Sequence, residues 1–327
     1  MGQKRKHDKH LPQRMYLRSG SYYFVDHKGK WHNLGKVYVK AMAQYAQITD
    51  PDKICRTIGD LLDRYLIEIA PTKSERTLKD NMSEAKKLRE ALGHIQIDQL
   101  TTQLVYQYLD ARGKKAPVRA NREMSLLSSC YTKAIRWGYT TENPCKGVEK
   151  HKEKPRNRYV ENWEYLAFRG FADPLIASLM DFIYLTGLRI SDVVKIKLTD
   201  LKDDGIHVQP GKTQNTTGKK LIIEWTPLLS EAVQNIRNLK RPVTGLYLFV
   251  TRRGQPYSYS GIVSIWGRQM DKAVEQNIIK ERFNRHDLRA KAASDTDSQH
   301  AKQLLGHSSE KITAGYRRKD EKVRPIG

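Results

Sequence analysis

The sequence has few cysteines, few acidic residues and no long apolar run, and each shortage excludes a class of protein. Its three cysteines, Cys55, Cys130 and Cys145, are widely spaced and odd in number. They match neither a disulfide framework nor a zinc-ligand pattern, which indicates a reducing cytosol. No apolar run is long enough to cross a bilayer, and the basic N-terminus lacks the apolar core of a signal peptide. We therefore expect neither secretion nor a membrane span.

Acidic residues are outnumbered by basic ones, with 36 Asp and Glu against 59 Lys and Arg. The formal net charge is +23 and the pI is near 9.8. A surplus of this size favours a nucleic-acid partner, because each phosphate that is neutralised releases condensed counterions. A basic protein of the ribosomal kind is the alternative. The chain has 327 residues, 39% of them hydrophobic, which is too long and too rich in core residues for a basic tail and predicts two or three domains.

The hydrophobic pattern predicts a mainly α, multidomain chain with small β elements. The first domain, residues 1–48, starts with a dense basic run and continues with three short extended runs. Turn signals at Ser19-Gly20 and Lys28-Gly29 separate these runs, which predicts a three-stranded antiparallel sheet. A helix over residues 37–47 would pack on this sheet. An interaction or dimerisation module is the alternative to a DNA-binding role for this domain.

Helical periodicity dominates the rest of the chain. In residues 50–145, four amphipathic patterns predict a four-helix bundle, with Thr101 capping the third helix and Pro117 opening the fourth. Residues 146–158 form a basic linker without apolar periodicity. The hydrophobic pattern of residues 159–327 predicts a mixed α/β domain that is mostly helical and contains a single β-hairpin.

Six polar residues in the second half of the chain stand in contexts suited to phosphate chemistry. A tyrosine hydroxyl can attack phosphorus. Two guanidinium groups suit the non-bridging oxygens, because they are planar, permanently charged and bidentate. Imidazoles can donate hydrogen bonds to the phosphate and assist proton movement. The six residues, in the local sequences Leu-Thr-Gly-Leu-Arg, Gly-Lys-Thr, His-Asp-Leu-Arg, Leu-Leu-Gly-His and Ala-Gly-Tyr, are Arg189, Lys212, His286, Arg289, His307 and Tyr316.

Other interpretations of these residues are weaker. Each short motif occurs by chance, and Leu-Leu-Gly-His could be an ordinary helix end. His286, His300 and His307 could bind zinc, but no Cys or acid lies at ligand spacing. The sequence Gly-Lys-Thr around Lys212 faintly matches a phosphate-binding loop, yet the required upstream glycine is absent. We therefore predict no metal.

The order and surroundings of the six residues resemble the tyrosine recombinase, or phage integrase, family. The resemblance extends over the second half of the chain and depends on the whole set. It implies that Tyr316 attacks the scissile phosphate and forms a 3′-phosphotyrosine, which keeps the bond energy for rejoining without ATP. It also implies that Lys212, on a hairpin, protonates the leaving 5′ oxygen. Asp192 matches an acidic position that would brace the site by orienting Arg289 or a histidine.

The N-terminal domain resembles the arm-binding domain of lambda-type integrases. The similarity lies in the basic start, a Leu-Pro pair, Tyr-Tyr-Phe-Val and a following Lys-Trp. It implies contact with a second DNA sequence, while the helical bundle corresponds to the family's core-binding domain. The candidate DNA-binding residues of the first domain are its basic and aromatic side chains Lys4, Arg5, Lys6, Arg14, Arg18, Tyr22 and Trp31.

The resemblance implies a phage or prophage integrase in the cytoplasm, at the nucleoid, of a bacterial host. A homotetramer would exchange strands between double-stranded core and arm attachment sites through a Holliday junction. A host DNA-bending protein and a phage excisionase are the expected partners, with no cofactor and no membrane. The alternatives are another strand transferase (a chromosome-dimer resolvase, a conjugative-transposon integrase or a type IB topoisomerase) and a non-catalytic DNA-binding regulator. The complete six-residue set argues against the regulator.

Two features depart from the family pattern. The segment between Arg289 and Leu304 is short and leaves little room for the usual helix. Eleven residues follow Tyr316. A C-terminal segment that passes to a neighbouring subunit would therefore be held weakly, through Val323 and Ile326.

Overall fold

The computed structural model divides the chain into two units, Met1–Pro155 and Arg156–Gly327. The finer division of the first unit into two domains stays a prediction. The structure describes residues 11–26, 28–49, 55–212, 214, 218–240, 242–243, 245–320 and 325–326. Across these residues helices predominate and two small sheets accompany them, which confirms the fold class. No helix in the described part is both long and apolar enough to cross a membrane.

The first unit begins with an antiparallel sheet in the order β1 (Met15–Arg18), β2 (Ser21–Val25) and β3 (Trp31–Gly35). Ser19 and Gly20 join β1 to β2, and both have positive φ, 47° and 75°. A type I′ turn requires this geometry, and its twist matches that of the paired strands. Helix α1 (Tyr38–Thr49) covers one face of the sheet. The side chains buried between them include Met15, Phe24, Leu34, Met42 and Tyr45.

The predicted bundle follows as α2 (Ile58–Glu68), α3 (Glu75–Leu92), α4 (Thr102–Gly113) and α5 (Pro117–Arg136). Its helix ends lie where the sequence signals them. The Thr101 side chain accepts a hydrogen bond from the Leu104 N–H, and Pro117 opens α5. The apolar faces of the four helices share one core, in which all three cysteines are buried. Burial raises the pKa of the Cys145 thiol to about 12, so it stays protonated.

The second unit is an assembly of helices around one small sheet. Its elements in chain order are α6 (Asn162–Phe171), α7 (Pro174–Thr186), α8 (Ile190–Val193), β4 (Leu201–Lys202), β5 (Gly205–Val208), β6 (Leu221–Ile223), α9 (Pro227–Arg237), α10 (Tyr259–Glu275), α11 (Arg285–Ser294), α12 (Ser298–Leu304) and α13 (Glu310–Ala314). Helix α7, apolar on nearly all sides, is buried between α6, α9 and α11. Phe168, Trp266 and Phe283 meet edge to face in the same core, with ring centroids 5.4–6.0 Å apart.

One expectation for this unit is incomplete and another is wrong. The predicted hairpin is present as β5 and β6, and a further strand, β4, pairs with β5 to give a three-stranded antiparallel sheet. A strand of two residues is too short to show an alternating pattern, so the sequence gives no sign of it. The short segment after Arg289 also accommodates a helix, α12. Its start is fixed by Asp297, whose side chain accepts a hydrogen bond from the His300 N–H at 2.9 Å.

The C-terminal residues expected to contact a neighbouring subunit receive little structural description. Val323 lies outside the described residues. Ile326 is described and fully exposed.

Gly187 determines how α7 ends and where the next motif begins. Its φ of 61° is left-handed, and its N–H donates to the Ile183 carbonyl at 2.9 Å. Its own carbonyl accepts a hydrogen bond from the Arg289 guanidinium. A Cβ at this position would lie 3.0 Å from Leu305 Cδ2. The glycine in Leu-Thr-Gly-Leu-Arg therefore serves both the turn and the close approach of α12.

We predict that Gly187→Ala lowers the free energy of unfolding by about 1–2 kcal/mol, because an L-residue in left-handed geometry is strained by that amount. Gly170→Ala is the matched control. Gly170 lies in α6, and an added Cβ there would have no heavy atom of a neighbouring residue within 4 Å. Alanine also favours a helix by about 0.5–1 kcal/mol over glycine. Urea denaturation of both variants measures the difference. Equal effects of the two substitutions would contradict the argument.

Candidate active site

Four separate segments bring the predicted residues of the second unit together. Arg189 follows the Gly187 turn and caps the start of α8. His286 and Arg289 lie three residues apart in α11, so they share one helix face. His307 follows the left-handed Gly306 after α12, and Tyr316 follows α13.

Arg289 is the centre of the arrangement and is only 2% exposed. Its guanidinium donates to the carbonyls of Gly187 and Leu305, the latter at 2.8 Å, and Nη2 also lies 3.2 Å from His307 Nε2. The guanidinium carbon is 5.4 Å from the centroid of the Tyr316 ring. In the described part of the chain no carboxylate forms an ion pair with Arg289. Burial and the neighbouring Arg189 lower the pKa of Arg289 to about 10, so it remains a cation at neutral pH.

The buried Arg289 cation is bonded to carbonyls, and only the nearby charge of Asp192 favours it, so an anion bound at the site would stabilise it further. Arg189, half-buried beside it, adds a second positive charge, and its guanidinium forms no hydrogen bond or ion pair with the described residues. The two guanidinium groups lie close enough for Arg189 to lower the pKa of Arg289. The pair therefore presents more positive charge than Asp192 offsets, and this excess suits a phosphate.

His307 is held in one tautomer by its two neighbours. Arg289 can only donate, so His307 Nε2 must accept from it. The proton is then on Nδ1, which lies 3.1 Å from the hydroxyl oxygen of Thr313 and donates to it. Burial, followed by the charges of Arg289, Arg189, Lys219 and Lys212, lowers the pKa of His307 to about 4. The imidazole is therefore neutral at pH 7.

Tyr316 lies directly beside these groups. The centroids of the Tyr316 and His307 rings are 4.9 Å apart. The tyrosine ring is half-buried and packs against Ala293, Ala301 and Leu305. Its backbone N–H donates to the Thr313 carbonyl at 2.8 Å. The structure thus places the predicted nucleophile next to both a cationic group and a neutral base.

His286 lies at the start of α11 with its side chain largely exposed. Partial desolvation and the charges of Arg289, Arg285 and Arg189 lower its pKa. Lys212 is also exposed, in the turn that follows β5. Since Lys212 and Lys219 both depress the pKa of His307, the two lysines lie on the side of the site where that ring is.

Asp192 bonds to a backbone group, and its negative charge also favours the charged form of Arg289, the residue that we expected it to orient. Its Oδ1 accepts a hydrogen bond from the Gly211 N–H at 3.1 Å, and Oδ2 is buried without a hydrogen-bond partner in the described structure. No described hydrogen bond joins it to Arg289 or to a histidine. Helix α8 directs the carboxylate toward the start of the β5–β6 turn, so it anchors the residue that precedes Lys212.

No three His, Cys, Asp or Glu side chains of the described residues are grouped so as to hold a metal ion. The three histidines that we considered as zinc ligands in the sequence therefore do not form such a group.

Known proteins are similar to this chain in sequence and in fold. The model of the phage integrase family matches residues 170–322. The integrase of Enterobacteria phage 434 is 28% identical over 97% of this chain and 96% of its own length. Residues 170–322 belong to the phage integrase family of tyrosine recombinases.

Solved structures of lambda integrase have the same fold as this family member. A lambda integrase dimer bound to a COC′ core site matches with a TM-score of 0.69 and 22% identity, over 99% of both chains. A lambda integrase tetramer bound to a Holliday junction matches with a TM-score of 0.66 and 22% identity, over 92% of this chain and 97% of that one.

The first unit of this integrase carries an exposed aromatic surface that the sequence only partly predicted. Trp31 is 42% exposed, and the Arg18 guanidinium lies 4.3 Å from its ring centroid. Tyr16 and Tyr23, which are cross-strand partners, flank Trp31 with ring centroids 5.3 and 6.0 Å away. We call these four residues the sheet surface.

Tyr22 does not belong to the sheet surface. It packs edge to face on Tyr38 of α1, with centroids 5.4 Å apart. Strand alternation places Tyr22 with the buried Phe24 and puts Tyr23 on the opposite face, and this signal could have corrected the choice. Arg14 is half-buried. Lys4, Arg5 and Lys6 lie outside the described residues.

Proposed function

We propose that this integrase recombines DNA at phage attachment sites through a covalent 3′-phosphotyrosine formed by Tyr316. One observation carries the proposal: Arg289 is a buried cation without a carboxylate partner among the described residues, and it adjoins Tyr316, His307 and a second arginine. A scissile phosphate would supply the missing anion. The reaction would need no cofactor, because every group in it comes from the chain or the DNA.

In the cleavage step, the Tyr316 oxygen forms a bond to phosphorus and the bond from phosphorus to the 5′ oxygen breaks. Arg189 and Arg289 bind the non-bridging oxygens, where charge accumulates in the transition state. The tyrosine gives up its hydroxyl proton to His307 Nε2, which becomes free to accept it when the Arg289 guanidinium turns its Nη2 hydrogen bond from this nitrogen to the phosphate. Lys212 gives a proton to the leaving 5′ oxygen. His286 donates a hydrogen bond to the phosphate. Attack by the 5′-hydroxyl of a second strand reverses these steps and rejoins the DNA.

The assembly that we propose follows from the relatives. Lambda integrase has been solved as a dimer on a core site and as a tetramer on a Holliday junction. The present chain would likewise act as a homotetramer on two duplexes, in the cytoplasm of a bacterial host. The helical bundle would hold the core site together with the catalytic unit. A host DNA-bending protein and an excisionase remain proposed partners, which footprinting with and without each protein would test.

We also propose that the sheet surface binds a second, arm-type DNA site. Tyr16, Arg18 and Trp31 lie exposed on one sheet face together with the half-buried Tyr23, and the sequence that precedes the sheet is basic. A sheet can enter a DNA groove, where arginine and aromatic side chains make contacts, while basic flanking residues bind phosphates.

We predict that Tyr316→Phe abolishes covalent attachment to DNA and leaves duplex binding close to that of the wild type. The ring that packs against Ala293 and Leu305 is retained, and only the nucleophilic oxygen is lost. The measurement is the SDS-stable adduct formed on a nicked suicide substrate that carries the core site. An adduct with the Phe variant would assign the nucleophile to another residue. The absence of any adduct with the wild type would favour a DNA-binding regulator.

Lys212→Ala should slow cleavage in a way that depends on the leaving group. A bridging 5′ sulfur leaves readily without a proton, so the variant should cleave that substrate at close to the wild-type rate but ordinary DNA about 100-fold more slowly. Lys219→Ala is the matched control, since Lys219 is a second exposed lysine near His307. Equal defects of Lys212→Ala on both substrates would make it a binding residue. If only Lys219→Ala recovered a near wild-type cleavage rate on the 5′-sulfur substrate, Lys219 would be the residue that protonates the leaving oxygen.

Trp31→Ala should weaken protection of arm-type DNA at least about tenfold, since it removes the ring on which the Arg18 guanidinium lies and a lost groove contact costs about 1–3 kcal/mol, and leave core-site cleavage unchanged. Trp163→Ala is the control, because Trp163 is similarly exposed, at 51%, but lies on α6 of the second unit. The measurement is footprinting across the whole phage attachment region, including its arm-type sites. Identical footprints for the wild type and Trp31→Ala would remove the sheet surface from arm recognition.

A further inference from the structure

Asp287, between His286 and Arg289, is a buried carboxylate to which three chain segments donate hydrogen bonds. It is 0% exposed. Arg156, at the start of the second unit, donates from Nε at 2.9 Å and from Nη2 at 2.8 Å. Arg318 donates from Nη1 at 2.6 Å, and the Asn284 backbone N–H donates at 2.8 Å. The chemistry proposed above uses neither this carboxylate nor the two arginines.

Arg318 stands two residues after Tyr316, and its side chain is only 10% exposed. Besides Asp287, its guanidinium binds the Arg158 carbonyl at 3.1 Å, and its backbone N–H donates to Ser294 Oγ at 2.8 Å. The segment that follows the tyrosine is therefore attached at three points to α11 and to the chain that leads into the unit.

The segment that precedes Tyr316 is attached as well. Thr313, which is fully buried, bonds to His307, and its carbonyl accepts the Tyr316 N–H. The apolar contacts of the tyrosine ring are with a small cluster of alanine and leucine side chains, and its other neighbours are the His307 ring and the Arg289 guanidinium. Its position is consequently set by anchors on both sides of it in the chain, and Arg318 is the anchor on the C-terminal side.

We propose that Arg318, held by Asp287, is a positioning residue that aligns Tyr316 for attack on the scissile phosphate. This inference rests on the proposed function. Asp287 joins the helix that carries Arg289, which binds the phosphate, to the segment that carries the nucleophile. The phosphate-binding arginine and the nucleophilic tyrosine are thus both positioned relative to one buried carboxylate.

Because two arginines bind Asp287, the role of Arg318 can be tested without leaving the buried carboxylate unpaired. Burial alone would raise the pKa of Asp287, but the hydrogen bonds from Arg156, Asn284 and Arg318 overcome this effect and lower it. When one arginine is removed, the other still neutralises the carboxylate, so no buried charge is left unpaired. Arg156→Ala and Arg318→Ala both remove one ion pair from Asp287. Only Arg318 is attached to the segment that carries Tyr316.

The experiment compares the wild type, Arg318→Ala, Arg318→Lys and Arg156→Ala in single-turnover cleavage of the nicked core-site substrate at saturating protein. Because misplacement of a reacting group by about 1 Å can slow a reaction about 100-fold, we expect that decrease in the rate for Arg318→Ala. Arg156→Ala should remain within about threefold of the wild type, and Arg318→Lys, which keeps the charge, should recover part of the rate. The Arg318→Ala defect should be the same on the 5′-sulfur substrate, since the nucleophile rather than the leaving group is affected.

Thermal unfolding and the final amount of adduct show whether the variants are folded. If Arg156→Ala and Arg318→Ala lowered the cleavage rate equally, the inference would be overturned. Asp287 would then only stabilise α11. A wild-type rate for Arg318→Ala would overturn it too, as would a smaller amount of adduct formed at an unchanged rate, which reflects loss of folded protein. A wild-type chain that forms no adduct at all would overturn the proposed function and this inference together. Adduct formation by the wild type with no effect of Arg318→Ala would overturn the inference alone.

Discussion

The catalytic unit depends on one energetically unfavourable arrangement, the burial of the Arg289 guanidinium among backbone carbonyls. Gly187 and Leu305 supply those carbonyls from two different turns. The carbonyls accept from Nη1 and Nη2, but Nε is buried without a partner in the described structure, and Asp192 offsets only part of the charge of the two arginines. The turn glycine, the end of α12 and the position of α11 must all be correct for this arginine to be held. An enzyme that binds phosphate by charge needs such a group, and the fold contributes the free energy that holds it in place before DNA arrives.

The positive charge at Arg289 also determines the state of its neighbours. Together with burial and Arg189, it keeps His307 neutral at pH 7. Since His307 Nε2 accepts from Arg289, the ring's proton is on the side of Thr313 and α13. The imidazole next to Tyr316 is therefore neutral, and its Nε2 can accept a proton once the Arg289 hydrogen bond moves to the phosphate. A scissile phosphate would offset the same charge, so binding of DNA and the protonation of the site are coupled.

Two buried polar contacts connect the reactive segments to the rigid core. Thr313 joins His307 to the helix before the nucleophile, and Asp287 joins α11 to the segment after it. Asp192 has a comparable role at the base of the turn that carries Lys212. In each case a short side chain that does not react fixes the backbone of a segment that carries a reactive one. Placement within a fraction of an ångström is what such anchors contribute to catalysis.

The sequence by itself determined the local elements and the chemical inventory. The helix ends at Thr101 and Pro117 and the turn at Gly20 are set by the capping and backbone preferences of single residues, so they could be predicted. The six candidate catalytic residues could be selected because phosphate chemistry demands particular side chains in a particular order. Their assignment to the site is still a proposal, although the structure brings Arg189, Arg289, His307 and Tyr316 together. The partners of Asp192, Tyr22 and Asp287 were decided only by the tertiary structure. A carboxylate or a ring can point in several directions from the same local sequence. The direction depends on contacts with residues distant in the chain, as with Arg156 and Asp287, which are 131 positions apart.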